Sequence, residues 1–99
     1  MSRRLEITPA ARAQIAEIWD YTAREYGPDA ADAYVRVIDA AMRHALEHPL
    51  MGSDCADIRK GYRRIRAGSH LLYYIAHRRG IAVMHILHER RDAKRHLRE

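Results

Sequence analysis

Three short runs of strand-forming residues in the last third of the chain constrain its fold more than any other feature. They cover residues 61–66, 68–75 and 81–88. The links between them are Ala67-Gly68 and the segment 77–80, which ends in a glycine. Glycine-containing links of two to four residues are typical of β-hairpins. The sequence therefore predicts a three-stranded antiparallel meander, followed by a basic tail over residues 89–97.

The first half of the chain predicts a short strand and two helices. Polar and apolar residues alternate over residues 3–8, as in a strand. Thr8-Pro9 is a good helix start, because threonine caps free amides and proline suits the first turn. Gly27-Pro28 ends one helix and begins another, which Pro49 terminates. The two helices, expected to form an antiparallel hairpin, cover residues near 9–26 and 29–48.

Together these elements predict a single α+β domain over residues 1–99. The helical hairpin packs on one face of a small, mainly antiparallel sheet of four strands, made by the N-terminal strand and the meander. Residues 50–60 are expected to form a loop, and a short basic helix or tail follows the sheet. Because one helical hairpin covers only one face of a sheet, either the tail or a partner must cover the other face.

Regular alternation along the third run predicts which of its side chains share a face of the sheet. One face is expected to carry Ile81, Val83 and Leu87. The opposite face is expected to carry Ala82, Met84 and Ile86. The middle run alternates in the same way, so both faces of the sheet are expected to be apolar.

The net charge of +5 is concentrated in the second half of the chain. Residues 1–50 carry six arginines against eight acids, whereas residues 51–99 carry twelve Lys and Arg against five acids. The cations from residue 89 onward are Arg90, Arg91, Lys94, Arg95 and Arg98. With Asp92 as the cap of a short helix, Arg95 and Arg98 share one side of it. This charge favours an anionic partner, either nucleic acid or an acidic protein segment, and a solvated surface is the alternative.

Several classes of protein are not indicated by the sequence. No apolar run approaches the roughly 18 residues of a membrane span, and the N-terminus lacks the apolar stretch of a signal peptide, so a cytoplasmic protein is expected. Cys55 is the only cysteine and predicts no internal disulfide. The seven histidines show no metal-ligand spacing, and there is no glycine-rich phosphate loop. We therefore expect neither a cofactor nor a metal.

Several short motifs lie along these elements. In the first half they are Thr8-Pro9-Ala10-Ala11, Ile18-Trp19-Asp20-Tyr21 and His48-Pro49. In the second half they are Gly61-Tyr62-Arg63-Arg64, Gly68-Ser69-His70, Ile86-Leu87-His88 and Arg91-Asp92. In this order and spacing they resemble the RelE/ParE superfamily of toxins from bacterial toxin–antitoxin pairs, and its ParE branch in particular.

In that superfamily, ParE-like proteins inhibit DNA gyrase, RelE-like proteins cut messenger RNA on the ribosome, and a C-terminal antitoxin segment wraps each toxin. The resemblance implies a gyrase inhibitor that forms a hetero-oligomer with its antitoxin, without membrane association or sequence-specific nucleic-acid binding. The residues expected to contact the target or the antitoxin lie on the meander and the tail: Arg63, Arg64, His70, Tyr74, His88, Arg90, Arg91, Arg95 and Arg98.

The main alternative is a metal-independent messenger RNA endonuclease, in which Arg64 holds phosphate while His70 and His88 transfer protons. The chain lacks the lysine-rich helix and terminal tyrosine of RelE-type nucleases, which favours gyrase inhibition without catalytic residues. His85 lies among apolar strand residues, so a core histidine is expected there rather than a base. A basic nucleic-acid-binding protein is a third interpretation, which no helix-turn-helix, zinc or aromatic RNA-binding motif supports.

Overall fold

The computed structural model describes residues 3–91 and 93–97, which form five strands and three helices. In chain order these are β1 Arg4–Ile7, α1 Pro9–Tyr26, α2 Pro28–Glu47, β2 Ser53–Asp54, β3 Tyr62–Ala67, β4 His70–His77, β5 Gly80–His88 and α3 Ala93–Leu97. The strands make one sheet in the order β1-β5-β4-β3-β2. β1 runs parallel to β5, and all other neighbours are antiparallel. The predicted α+β class, helical hairpin and meander are confirmed.

Caps set the ends of α1, as the sequence predicts. The Thr8 hydroxyl accepts a hydrogen bond from the Ala11 amide at 3.1 Å. Gly27 lies at a φ of +95°, and its amide donates to the carbonyl oxygen of Ala23 at 2.9 Å. Pro28 then begins α2, as expected for a proline at the first helical position. Because the connection is so short, the two helices pack against each other and against the sheet as one hairpin.

The sheet has five strands rather than the four expected, because β2 forms inside the segment predicted to be a loop. Its two residues pair with Arg64 and Arg63 of β3. The Arg63 guanidinium donates to the carbonyl oxygens of Leu50 and Gly52, at 3.2 and 2.8 Å, which holds the segment against β3. A strand of two residues is too short to show alternation in a sequence. The position of β2 is therefore determined by hydrogen bonds from Arg63 and not by a pattern in its own sequence.

Apolar side chains are buried on both faces of the sheet. The larger cluster lies between the sheet and the helical hairpin and includes Ile38, Leu72, Tyr74, Ile81 and Val83. The smaller cluster lies on the opposite face and contains Cys55, Tyr62, Tyr73, Leu87 and Leu97. Leu97 of α3 is wholly buried there, and the Arg59 guanidinium donates to its carbonyl oxygen. The tail and the segment that carries Cys55 and Ile58 therefore both cover the second face.

A β-bulge in β5 reverses the alternation of that strand part of the way along. The pairing with β4 steps over Met84, because Val83 and His85 pair with adjacent residues of β4. Beyond the bulge, Ile86 packs in the larger cluster and Leu87 in the smaller one. The expected faces of Ile86 and Leu87 are therefore wrong, since regular alternation does not allow for an inserted residue.

Two side chains at the start of the helical hairpin bond the backbone at this bulge. The Thr8 hydroxyl donates to the carbonyl oxygen of Met84 at 3.0 Å. The Gln14 side-chain oxygen accepts from the Ile86 amide at 2.7 Å, and its nitrogen lies 3.1 Å from His85 Nδ1. A bulge leaves backbone groups without ladder partners, and a buried group left unsatisfied costs about 1–3 kcal/mol. Thr8 and Gln14 therefore stabilise the bulge.

Replacing Gln14 with alanine is expected to lower the free energy of unfolding by about 1–3 kcal/mol, because the Ile86 amide loses its acceptor. Gln14→Glu keeps an oxygen in that place and is the matched control, with a smaller loss expected. Denaturant unfolding followed by circular dichroism gives both values. Equal losses in the two variants would contradict the acceptor role of Gln14.

Candidate functional site

A groove of about 920 Å³ runs between the helical hairpin and one end of the sheet. One wall comes from α1 and the start of α2, and the other from the start of β4, the end of β5 and the residues just after it. Tyr21 and Tyr26 on the helix wall are 55% and 73% exposed. His70, His88 and Arg91 line the sheet wall. This α1–sheet groove thus sets exposed aromatic rings opposite a group of nitrogen-bearing side chains.

Tyr34 of α2 holds the turn between β3 and β4, and with it His70. The Tyr34 hydroxyl accepts from the Ser69 amide at 2.9 Å and lies 2.6 Å from His70 Nδ1. The carbonyl oxygen of Ala67 is farther away, at 3.3 Å, so we assign the hydroxyl proton to the bond with Nδ1. Gly68 has a φ of +62°, and a Cβ there would lie 2.6 Å from the hydroxyl. The close approach of Tyr34 therefore requires glycine in the turn and orients His70.

His70 and His88 contact each other across neighbouring strands. They are register partners, and their ring centroids are 5.3 Å apart in an edge contact. The Arg90 amide donates to His88 Nδ1 at 3.2 Å, so the proton of neutral His88 resides on Nε2. Burial lowers the pKa of His70, the nearby His88 lowers it further, and Glu89 opposes them. His70 is therefore neutral at pH 7.

Arg64 lies on the opposite face of the sheet from the two histidines. It pairs with Tyr73, whose ring belongs to the smaller cluster, whereas His70 contacts α2 on the other face. The alternative catalytic set of Arg64, His70 and His88 is therefore not brought together. Arg91, rather than Arg64, is the cation that lines the groove beside the histidines.

Arg63 and Tyr74, both expected at the interaction surface, bond to the segment that precedes β2. Tyr74 is fully buried, and its hydroxyl donates to the carbonyl oxygen of Pro49 at 2.8 Å and accepts from the Gly52 amide at 3.0 Å. Arg63 donates to carbonyl oxygens of the same segment. In this structure the two side chains therefore serve the fold, and Tyr74 is not accessible to a partner.

The expected cations of the tail are exposed where the structure describes them. Arg90 and Arg91 directly follow β5, and Arg95 lies on α3. The short helix expected here is confirmed by α3, whereas its proposed cap, Asp92, and the last expected cation, Arg98, lie outside the described residues. The described cations therefore lie in two places, beside the groove at Arg91 and on α3 at Arg95.

Other reactive or ligating side chains serve packing. Cys55 is 2% exposed in the smaller cluster, and burial raises the pKa of its thiol, which keeps it protonated and weakly reactive. His85 contacts Gln14, as expected for a histidine that serves the fold. Within residues 3–91 and 93–97, no three His, Cys, Asp or Glu side chains are grouped as metal ligands. The helices of the described part of the chain are also too short or too polar to cross a membrane.

Two residues on which the groove depends, Tyr34 and Gln14, were not predicted from the sequence. Tyr34 fits the apolar stripe of α2, and nothing in that pattern indicates what its hydroxyl binds. Gln14 carries a clearer signal, because it lies between Ala11 and Ile18 on the buried stripe of α1. A polar side chain on such a stripe indicates a hydrogen bond inside the fold, since buried polar groups are nearly always paired.

Comparisons with known proteins agree on one family. The family model described as ParE toxin of type II toxin-antitoxin system, parDE, matches residues 5–93. Toxin ParE1 of Mycobacterium tuberculosis is 43% identical over 98 residues, covering 98% of this chain and 100% of that protein. Toxin ParE1 of Caulobacter vibrioides is 34% identical over 87 residues, covering 88% of this chain and 90% of that protein. A solved chromosomal ParDE TA system from P. aeruginosa shares the fold, with a TM-score of 0.76 at 18% identity, covering 87% of this chain and 95% of that chain.

The lowered pKa of His70 predicts a loss of stability in acid. The unfolded chain takes up this proton near pH 6.5, and the folded chain resists it, so the free energy of unfolding falls as the pH drops below about 6.5. His70→Asn keeps an acceptor for Tyr34 but does not titrate, and it is expected to reduce this slope. His44→Asn, at an exposed position near the end of α2, is the control for the loss of a histidine elsewhere in the chain. Denaturation curves from about pH 5 to 8 test both variants, and equal slopes in wild type and His70→Asn would contradict the prediction.

Proposed function

Because this chain belongs to the ParE toxin family of type II toxin–antitoxin systems, we propose that it inhibits DNA gyrase in the cytoplasm and is neutralised by a cognate antitoxin. The family model spans residues 5–93, and the relatives that carry the toxin name are matched over nearly their whole length. In this proposal the chain binds two proteins, gyrase as its target and the antitoxin as its inhibitor.

One observation favours gyrase inhibition over RNA cleavage. With the Tyr34 proton assigned to His70 Nδ1 and the Arg90 amide donating to His88 Nδ1, each neutral ring carries its proton on Nε2. A general base that activates a 2′-hydroxyl needs an unprotonated nitrogen within reach of it. Two rings that both present N–H groups support binding of an anion more than acid–base catalysis. The place of Arg64 on the other face of the sheet supports the same conclusion.

The exposed cations after β5 are the proposed contact with the target. Arg90 and Arg91 are adjacent, exposed and at the end of the sheet, where a large partner can reach them. Charged side chains at the rim of an interface steer association and choose partners more than they stabilise the fold. An acidic surface on the target is the complement that this pair requires.

Purified wild-type protein is expected to inhibit DNA supercoiling by gyrase. Replacing Arg90 and Arg91 together with alanine is expected to raise the concentration for half-inhibition by roughly tenfold, which corresponds to about 1.4 kcal/mol of binding free energy. The melting temperature should change little, because exposed substitutions stay within about 0.5 kcal/mol each. Supercoiling assays and thermal melts on the same preparations measure both effects.

Arg78 and Arg79 provide the matched control. They are also adjacent and exposed, but they lie in the turn between β4 and β5, at the other end of β5. Their double replacement with alanine removes the same charge and is expected to leave supercoiling inhibition within roughly twofold of wild type. Equal losses in the two double variants would show that net charge, and not this surface, determines inhibition.

The endonuclease alternative makes an opposite prediction for the wild-type protein. Cleavage of transcripts on ribosomes, with gyrase unaffected, would overturn the proposal in its favour. In growing cells, gyrase inhibition is expected to cause arrest with a DNA-damage response, because stalled gyrase leaves breaks in DNA. Rapid loss of messenger RNA without that response would contradict it.

A further inference from the structure

Two histidines lie one helical turn apart at the end of α2. His44 is in the last turn, and His48 is the residue that caps the helix. Both residues are exposed, and their rings meet edge to edge with centroids 5.1 Å apart. Side chains four residues apart share one side of a helix, so a single ligand can contact both rings. Two histidines at this spacing on a helix are a recurring pair of metal ligands.

The spacing of the two rings suits one metal ion bound between them. A zinc–nitrogen bond to histidine measures about 2.0–2.1 Å, which places each ring centre roughly 3.2 Å from the ion. At a tetrahedral angle the two ring centres are then about 5.2 Å apart, close to the observed 5.1 Å. Exposed side chains change rotamer within nanoseconds, so the ring nitrogens can turn toward an ion without a change in the backbone.

The fold does not use the ring nitrogens of this pair. Within residues 3–91 and 93–97, neither ring takes part in a hydrogen bond or an ion pair. A neutral histidine binds a metal through the lone pair of one ring nitrogen, while the other nitrogen keeps its proton. Metal binding here therefore breaks no hydrogen bond of the fold. Its cost is the conformational entropy of fixing two side chains.

The other pair of touching histidines is less suited to a metal. The rings of His70 and His88 are 5.3 Å apart, but Tyr34 and the Arg90 amide occupy their Nδ1 atoms. A metal on Nε2 of His88 would force the ring proton onto Nδ1 and break the bond from the amide. Arg91 lines the same side of the groove and repels a cation. The pair at the end of α2 has neither obstacle.

The end of α2 also favours a positive charge. The last carbonyl oxygens of a helix lack helical partners and form the negative end of its dipole. Arg3 already donates there, to the carbonyl oxygens of Leu46 and Glu47 at 2.9 and 2.6 Å. Arg43 is paired with Asp39 at 2.9 Å. Because both neighbouring arginines are bonded to oxygen atoms, their charge at the site is partly compensated.

The sequence at the site matches a known metal-binding pattern only in part. Residues 44–48 read H-x-x-E-H, as in one class of zinc peptidases. A catalytic zinc ion requires three protein ligands, and no three His, Cys, Asp or Glu side chains are grouped in this way in the described ranges 3–91 and 93–97. The sequence-based expectation of no metal concerned such complete ligand sets. A site with two protein ligands is a separate case, and it does not imply a peptidase reaction.

We propose that His44 and His48 bind one divalent transition-metal ion, with water in the remaining coordination positions. The inference goes beyond the proposed function and does not depend on it. Zn²⁺, Ni²⁺ and Cu²⁺ bind well to imidazole nitrogen, whereas Mg²⁺ and Ca²⁺ prefer oxygen ligands. The ion binds the folded helix end more tightly than the unfolded chain, because only the folded chain holds both rings together. It therefore stabilises the folded chain by mass action.

The site lies where the chain passes from α2 to the sheet. The Met51 amide donates to the carbonyl oxygen of His48 at 3.0 Å. Pro49 and Gly52 are both bonded to the hydroxyl of Tyr74, which is buried in the sheet. An ion on His48 therefore stabilises this connection as well as the last turn of α2.

The test is isothermal titration calorimetry of Zn²⁺, Ni²⁺ and Cu²⁺ into the full chain, prepared without an affinity tag. We expect one site of highest affinity per chain, with Cu²⁺ bound most tightly and Mg²⁺ bound far more weakly. His44→Asn and His48→Asn, made separately, are each expected to weaken Ni²⁺ binding at least tenfold, or about 1.4 kcal/mol, because one of two protein ligands is lost. Thermal melts without metal establish that each variant is folded. With Ni²⁺ the melting temperature of wild type is expected to rise more than that of either variant.

Two controls separate chelation by this pair from unspecific attraction. The double variant His70→Asn, His88→Asn removes the other pair of touching rings and is expected to bind Ni²⁺ like wild type. Glu47→Gln removes a charge between the two ligands in sequence and is expected to keep more affinity than either histidine variant.

Three results would overturn the inference. The first is wild-type affinity for Ni²⁺ in His44→Asn and His48→Asn, or no binding by wild type itself. The second is an equal loss in the control pair, because any two histidines would then serve. The third is an equal loss in Glu47→Gln, because charge alone would then explain the binding.

Discussion

The rest of the structure depends on the β-bulge at Met84. Val83, just before it, faces the helical hairpin. In a regular strand His88, five residues later, would face the opposite side of the sheet. The inserted residue turns His88 toward the hairpin beside His70, and it turns Leu87 toward α3. One extra residue thus determines both the lining of the groove and the packing of the second face.

The groove is built from side chains that also satisfy backbone groups. Gln14 bonds the Ile86 amide, Tyr34 bonds the Ser69 amide, and His88 bonds the Arg90 amide. A buried amide without a partner costs free energy, so the part-buried bond between Gln14 and the Ile86 amide contributes most to stability. The same bonds fix where ring nitrogens and hydroxyls lie. The fold and the donor arrangement of the groove therefore depend on the same contacts.

Local sequence signals predicted where the helices and the longer strands lie. Features that depend on contacts between residues far apart in the sequence were not predicted. Caps such as Thr8-Pro9 and Gly27-Pro28 act within a few residues, so a sequence shows them directly. The bulge and β2 depend on bonds from other elements, and regular alternation contains no trace of them. Arg63 and Arg64 illustrate the limit for the site. They are neighbours in one motif, but their side chains lie on opposite faces of the strand. Arg63 donates to a carbonyl oxygen of the segment before β2, whereas Arg64 lies on the face away from the histidines.

The parallel pairing of β1 with β5 has a consequence for the order in which the protein is made. Leu5 pairs with Ile81, 76 positions later in the chain. At about 5–20 residues per second, the ribosome adds Ile81 roughly 4–15 s after it adds Leu5. Until then β1 has no strand to pair with, and the sheet wall of the groove has not formed. A nascent molecule therefore acquires its groove only after β5 has been made.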